Sequence, residues 1–393
     1  MIFEPTSEAE TAEAVVAACA AHRPFAVKGG GTREGLGRPV EADTVLSTRA
    51  LAGITLYEPA ELVISARAGT PLADIEAALA ANRQRLAFEP MDHRALYGTD
   101  GAPTIGAVAA CNISGPRRIQ AGAARDHLLG LRFVNGRGEI IKSGGRVMKN
   151  VTGLDLVKLQ CGAHGTLGVI TEATFKVLPE PATSATLALR GLADAAAIAA
   201  LSAALGSPYQ VTGAAHLPAD IGSEGALTLL RLEGARASVE DRRAALARLL
   251  APRGTTEMLE AERAAALWHG IRDGVPLAEP RERAIWRLSV KPMDAPKIVA
   301  ALSKHMNVRH FYDWGGGLSW LAVAEEHDAR ATEIRTALAG RGHATLVRAP
   351  QDLRSRIDVF EPLSLPLLKI TAGIKASFDP DRIINPGRMY AGI

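Results

Sequence analysis

Three glycine-rich stretches in the first half of the chain carry the residue types and spacing that could hold a polyanionic ligand. The first is Lys28-Gly-Gly-Gly-Thr-Arg-Glu-Gly-Leu-Gly37, directly after a short apolar run. Successive glycines take φ > 0 freely and turn consecutive backbone N–H groups toward one point, forming an anion nest. A diphosphate requires such a nest, because its two charges must be met by short donors with no side chains between. The spacing is neither the Gly-x-Gly-x-x-Gly turn of a Rossmann unit nor a phosphate loop ending in Gly-Lys-Ser/Thr. Alone, it is equally a tight turn.

The second stretch runs from Thr104-Ile-Gly-Ala-Val-Ala-Ala-Cys-Asn-Ile-Ser-Gly115 to Gly130. Its small residues would let backbone lie against a large planar ligand, with Asn112 and Ser114 as polar handles. The third joins Gly144-Gly-Arg-Val-Met-Lys-Asn-Val-Thr-Gly153 to Cys161-Gly-Ala-His-Gly-Thr-Leu-Gly-Val-Ile-Thr171, where glycines allow close approach before the chain re-enters a sheet. Three such loops are hard to assign to turns alone. Cys19, Cys111 and Cys161 are far apart and form no Cys-x-x-Cys pair, so they read as small buried hydrophobes rather than cluster or zinc ligands.

The elements that must position these loops alternate short strands with helices over residues 1–180. Strands are expected at 25–27, 44–47, 62–66, 131–134, 140–142 and 169–177, with helices at 7–21, where Glu10 stands for a capping box, and at 71–81. Pro179 and Pro181 mark a boundary. From residue 285 the pattern reads β-α-β-β-α-β, a ferredoxin-like unit, and the 184–251 half reads as a degraded copy. The expected organisation is α+β: a two-lobed domain at 1–180, a ferredoxin-like cap at 181–349, and a segment at 350–393 packing back on the first domain.

Composition narrows the function. The 393 residues carry a formal net charge of +3 with only 4% aromatics, which argues against nucleic acid. The acidic N-terminus does not resemble an export signal, and no apolar run approaches a bilayer span of about 20 residues, so a cytoplasmic location is expected.

Gly29-Gly-Gly-Thr32, Thr104-Ile-Gly with Asn112 and Gly115, Arg125-Asp126 and Gly165-Thr-Leu-Gly-Val-Ile-Thr171 together resemble the PCMH-type FAD-binding domain of vanillyl-alcohol-oxidase-type flavoproteins. The tail Phe378-Asp-Pro-Asp-Arg-Ile-Ile-Asn-Pro-Gly-Arg388 resembles the closing segment of the D-lactate and D-2-hydroxyacid dehydrogenase branch. Ser114-Gly-Pro-Arg-Arg118, Val147-Met-Lys-Asn-Val-Thr-Gly153 and Asp313-Trp-Gly-Gly-Gly317 are similar to the FAD-binding subunits of bacterial glycolate oxidases, over nearly the whole chain.

The resemblance implies that Gly29, Gly30, Gly31 and Thr32 hold the FAD diphosphate. It places Thr104, Gly106, Asn112, Ser114, Gly115, Gly168, Val169 and Ile170 along the rest of the cofactor, and Asn385 over the flavin side. It further implies glycolate oxidation, a second flavin subunit, an iron–sulfur subunit passing electrons toward quinone, and membrane contact only through those partners. No histidine lies within Lys28–Gly37, so the FAD is expected to be noncovalent; His93, the nearby alternative tether, reads as a surface or loop residue. Relatives carry Gly-Ser-Glu-Gly where this chain has Gly162-Ala-His-Gly165. A second departure is His310-Phe-Tyr-Asp-Trp-Gly-Gly-Gly-Leu-Ser-Trp320, where the branch has two metal-binding histidines; here Trp320 replaces the second, and no metal is expected. Arg287 and Arg348 are candidate cations for a substrate carboxylate and His310 a candidate base, each more often an ordinary ion-pair or surface residue, so no catalytic set is named. Two other readings stay open: a stand-alone FAD-dependent 2-hydroxyacid or small-alcohol oxidoreductase, and a structural subunit that has lost FAD.

Overall fold

The computed structural model describes residues 2–146, 153–222, 225–324 and 327–393; most of the Val147–Gly153 motif lies outside the described residues. Two small sheets build the first part of the chain. Ile2–Phe3, Thr44–Ser47 and Phe25–Lys28 form a parallel sheet with Thr44–Ser47 central. Helix Glu8–Ala20 buries Val15 and Ala18 against Phe25, Leu46, Val134 and Val169. Ser7 caps this helix through a 3.1 Å bond from the Glu10 amide, while the Glu10 carboxylate accepts from the amide of Thr6, one residue before the cap, at 2.7 Å, a variant of the capping box expected from sequence.

Behind this lies a five-stranded antiparallel sheet in the order Ile54–Glu58, Val63–Arg67, Val169–Lys176, Leu128–Val134, Ile140–Gly144. Its central strand, Val169–Lys176, is buried along most of its length, with only Glu172 and Lys176 of intermediate exposure. The glycine loops hang from the ends of these strands.

The rest is dominated by one eight-stranded antiparallel sheet made of two β-α-β-β-α-β units. The first has strands Thr183–Arg190, Gly213–Leu217, Leu227–Gly234 and Thr256–Met258; the second has Arg283–Val290, Arg309–Asp313, Leu318–Ala324 and Gly342–Arg348. In both units the strands lie in the order 4-1-3-2, and the two second strands meet edge to edge at His216 and Tyr312. The degraded copy expected from sequence is thus a complete second unit, and joining edges removes two strand edges from solvent.

Alternation decides which side chains this sheet offers to which neighbour. Ala284, Trp286 and Leu288 face the helix layer, as do Tyr312, Leu321, Val323, Ala344 and Leu346. Ile285, Phe311, Leu318, Trp320, Ala322 and Val347 face the other way and share one core with Ile64, Phe88 and Phe175 of the first part. Arg287 and Asp313 belong to this second face; His310 belongs to the first.

His310 is accordingly consumed at the seam between the two units. Its Nε2 is 2.7 Å from Asp194 Oδ2, which also accepts from the Tyr312 hydroxyl at 2.8 Å. His216 Nε2 lies 3.4 Å from Asp194 Oδ1. Burial opposes the Asp194 charge, but His216, His310 and Tyr312 hold its carboxyl below the usual carboxylate range. Tyr312→Phe removes one of these bonds without creating a cavity, and is expected to cost about 1 kcal/mol, read as a lower urea midpoint at unchanged slope.

Candidate active site

The glycine loops do converge. Gly29, Gly30, Gly31, Thr32, Gly106, Gly168, Ile170 and Asn385 line one open cleft of about 410 Å³, within the size range of cofactor sites. Among the described residues, the amides of Gly29, Gly30, Gly31 and Thr32 donate to no backbone or side-chain acceptor. The glycines here do two jobs. A Cβ on Gly30 would sit 1.6 Å from the Ala102 carbonyl oxygen, so Gly30 permits two loops to touch backbone to backbone. Gly31, at φ 78°, instead supplies the left-handed turn that re-aims the amides.

Asn385 is the clasp of this cleft. Its Oδ1 accepts from the Val27 amide at 2.8 Å and its Nδ2 donates to the carbonyls of Gly165 at 3.0 Å and His164 at 3.2 Å. Below it, buried Lys375 anchors the tail by donating to Asp379 Oδ2, Thr166 O and Ile384 O at 2.6–2.7 Å.

Sequence reasoning missed the charge in this cleft. Arg33, Arg354 and Arg388 line it, and none meets a carboxylate among the described residues. Arg33 donates to His93 Nδ1 and the Met91 carbonyl, Arg354 to the Ala349 and Gly37 carbonyls, and Arg388 to the Arg33 carbonyl. Burial pulls all three guanidinium groups below their ordinary pKa. Arg33 Nη1 and Thr104 Oγ1 are buried without a partner. Free amides beside desolvated cations form a site for an acceptor-rich dianion, which the diphosphate of FAD satisfies.

Cys111 and His164 line both this cleft and a second cavity of about 90 Å³, beneath the second face of the eight-stranded sheet. His164 packs edge-on against Phe360 at 4.9 Å, and burial followed by the charge of Arg388 brings its pKa down to about 3, so the ring is neutral. His93, expected in a loop or at the surface, is a loop residue but a buried one that lines this second cavity; its Nδ1 accepts from Arg33, and burial holds it neutral as well.

Arg287, Asp313 and Trp320 complete the wall. The Arg287 guanidinium lies 5.0 Å from the Trp314 ring and 6.0 Å from Trp320, and burial lowers its pKa to about 10. Trp314 and Trp320 thus flank a cation. Asp313 accepts the Trp314 amide at 2.7 Å, and burial raises its carboxyl to about 7 against the opposing influence of that bond and of Arg231. An ion cluster joins the sheet to the loops: Glu89 accepts both Arg231 nitrogens at 2.8 and 3.0 Å, and Arg117 pairs with Glu233 at 2.5 Å. Trp314 Nε1 donates to the Gly115 carbonyl at 3.0 Å across the same junction.

Several expected residues lie elsewhere. Residues 105–111 form a helix, not an extended surface, and Thr104 is its N-cap behind Gly29. Asn112 ends this helix and spends its Oδ1 on the Arg125 amide, and Ser114 Oγ accepts the Ala124 amide. Ser114 and Gly115 line the second cavity, not the first, and the Val169 side chain points into the core. Arg348 is saturated by the carbonyls of Leu96, Ala278, Pro280 and Arg283, and is no substrate cation. Among the described residues no group of three His, Cys, Asp or Glu side chains could hold a metal.

The cleft and its loops define an FAD-binding flavoprotein. Residues 1–144 match the FAD binding domain family. The whole fold superposes on alkyldihydroxyacetonephosphate synthase with a TM-score of 0.70 at 17% identity, over 98% of this chain and 76% of that one. Glycolate oxidase subunit GlcE of Escherichia coli K12 is 36% identical over 94% of this chain and 93% of its own, and this chain belongs to the GlcE family. Glycolate oxidase subunit GlcD of Bacillus subtilis 168 is 34% identical over 47% of this chain and 38% of its own.

Two outcomes follow. Gly30→Ala, which forces its Cβ onto the Ala102 carbonyl, is expected to purify with little flavin absorbance per chain. Asp313 carries a folded pKa of about 7 against about 3.9 unfolded, so its stabilising contribution is full below about pH 4 and is lost as pH rises through 7. Asp313→Asn removes that loss, and its melting temperature relative to the parent is expected to improve between pH 4.5 and pH 8.

Proposed function

We propose that this chain is the FAD-carrying subunit of a glycolate-oxidising complex, acting on a small 2-hydroxyacid, with a flavin domain at 1–180, a cap at 181–349 and a closing segment at 350–393. The observation that carries this reading is adjacency: a cleft lined by cations without carboxylate partners shares Cys111 and His164 with a cavity whose wall holds a further cation, Arg287. The residues that would hold FAD are the amides of Gly29, Gly30, Gly31 and Thr32, with Arg33, Arg354 and Arg388 about the diphosphate, and the binding is noncovalent. Bound FAD supplies the hydride acceptor that oxidising a carbinol carbon requires. The chain's own residues bind the cofactor, close the cleft through Asn385, and keep His93 and His164 neutral beside it.

Electrons would leave through an iron–sulfur partner toward quinone, since three dispersed cysteines cannot ligate a cluster in this chain. Its GlcE and GlcD relatives are named as subunits, which supports assembly with a second flavin chain. No helix among the described residues is long and apolar enough to cross a membrane, and any membrane contact would run through the partners. Affinity purification from the native host with an absorption spectrum tests the reading. Flavin bands with co-purifying second flavin and iron–sulfur subunits are expected. A yellow monomer that oxidises glycolate unaided would replace this reading with a stand-alone enzyme, and a colourless chain would end both.

A further inference from the structure

Arg287 differs from its buried neighbours. Arg231 and Arg117 are neutralised by Glu89 and Glu233, and Arg272 pairs with Asp273 at 2.7 Å. Among the described residues Arg287 makes no hydrogen bond and no ion pair; its surroundings are the Trp314 and Trp320 rings. A half-buried guanidinium with no hydrogen-bonded counter-charge is a standing cost that an arriving anion relieves.

Asp313 lines the same cavity from the adjoining part of the sheet and is 2% exposed. Its Oδ1 is taken by the Trp314 amide, and Oδ2 has no partner among the described residues. Although opposite in charge, Arg287 and Asp313 do not bond to one another. A ligand that satisfies both needs a carboxylate for the first and a hydroxyl donor for the second, close together. The cavity is about 90 Å³, against about 410 Å³ for the cofactor cleft by the same measure, which favours a short ligand.

We propose that Arg287 and Asp313 form a seat for a short-chain 2-hydroxyacid in this chain itself: Arg287 holds the carboxylate, and Asp313 Oδ2 accepts the hydroxyl hydrogen bond and then its proton. The proton-transfer half rests on the FAD-dependent reading above; the carboxylate half does not. During oxidation the O–H bond breaks with its proton passing to Asp313 Oδ2. The Cα–H bond would break with its electron pair leaving as hydride, for which bound oxidised FAD would supply the acceptor, and the carbinol carbon would become a carbonyl. Arg287 fixes the carboxylate end so that both bonds are held in register, which is positioning rather than chemistry.

The test uses flavin-loaded protein, titrated with acetate and with glycolate while tryptophan fluorescence is followed, since Trp314 and Trp320 flank Arg287. Arg287→Met is expected to weaken both ligands by about 10- to 100-fold. Asp313→Asn is expected to bind acetate as the parent does, yet to slow anaerobic bleaching of the flavin by glycolate by about 100-fold or more. Both variants should keep the parental flavin absorbance per chain, which separates a lost seat from a lost fold. A five-carbon hydroxydiacid, 2-hydroxyglutarate, should not compete. Parental acetate affinity in Arg287→Met overturns the carboxylate seat; parental bleaching in Asp313→Asn overturns the proton acceptor; tight 2-hydroxyglutarate binding overturns the size limit. Parental protein that takes up no flavin refutes the FAD reading and the proton transfer with it, while the acetate titration still decides the seat.

Discussion

A guanidinium group taken out of water without an anion costs several kcal/mol, even after the protein relaxes around it. Arg33 and Arg354, buried around the first cleft, bear that cost, Arg388 there and Arg287 in the second cavity, both half-buried, bear part of it, and none has a carboxylate bonded to it among the described residues. The same protein neutralises Arg117 and Arg231 with Glu89 and Glu233 a short distance away, so acids are not lacking where structure alone is served. The unpaired cations line space open to a ligand, and the paired ones hold the sheet to the loops.

That division depends on the eight-stranded sheet. Its two units, joined edge to edge, give a platform whose one face is filled by helices and whose other face roofs the second cavity. Because side chains alternate strictly, Arg287 can only reach the cavity if Trp286 and Leu288 reach the helices. The Glu89 cluster and the bond from Trp314 to the Gly115 carbonyl then fix the height of the roof. Their partners set Glu89 and Asp313 apart: two bonded arginines hold the first down to about 2 despite burial, whereas burial wins for the second, at about 7.

Much of this was legible in the sequence, and the failures have physical causes. The glycine nest, the tail asparagine and the repeated β-α-β-β-α-β order could be read because each is set by local backbone requirements. Asn112 and Ser114 misled because a polar residue among glycines can serve a helix end as readily as a ligand. His310, open as a base but more often an ordinary ion-pair residue, proves to be that ion-pair residue; counting alternate residues from Phe311 puts Asp313, not His310, on the cavity side. Arg354 reaches the loop at Gly37 from over 300 residues away, a contact that only long-range packing creates.

The central claim is that the cations of the first cleft exist for the diphosphate of a flavin dinucleotide. Calorimetric titration of flavin-stripped protein with FAD and with riboflavin, which keeps the isoalloxazine but lacks the phosphates, tests it most directly. FAD is expected to bind at least about 100-fold more tightly, as charge-assisted bonds of about 1.5–3 kcal/mol each would require. Equal affinity for the two would contradict the account.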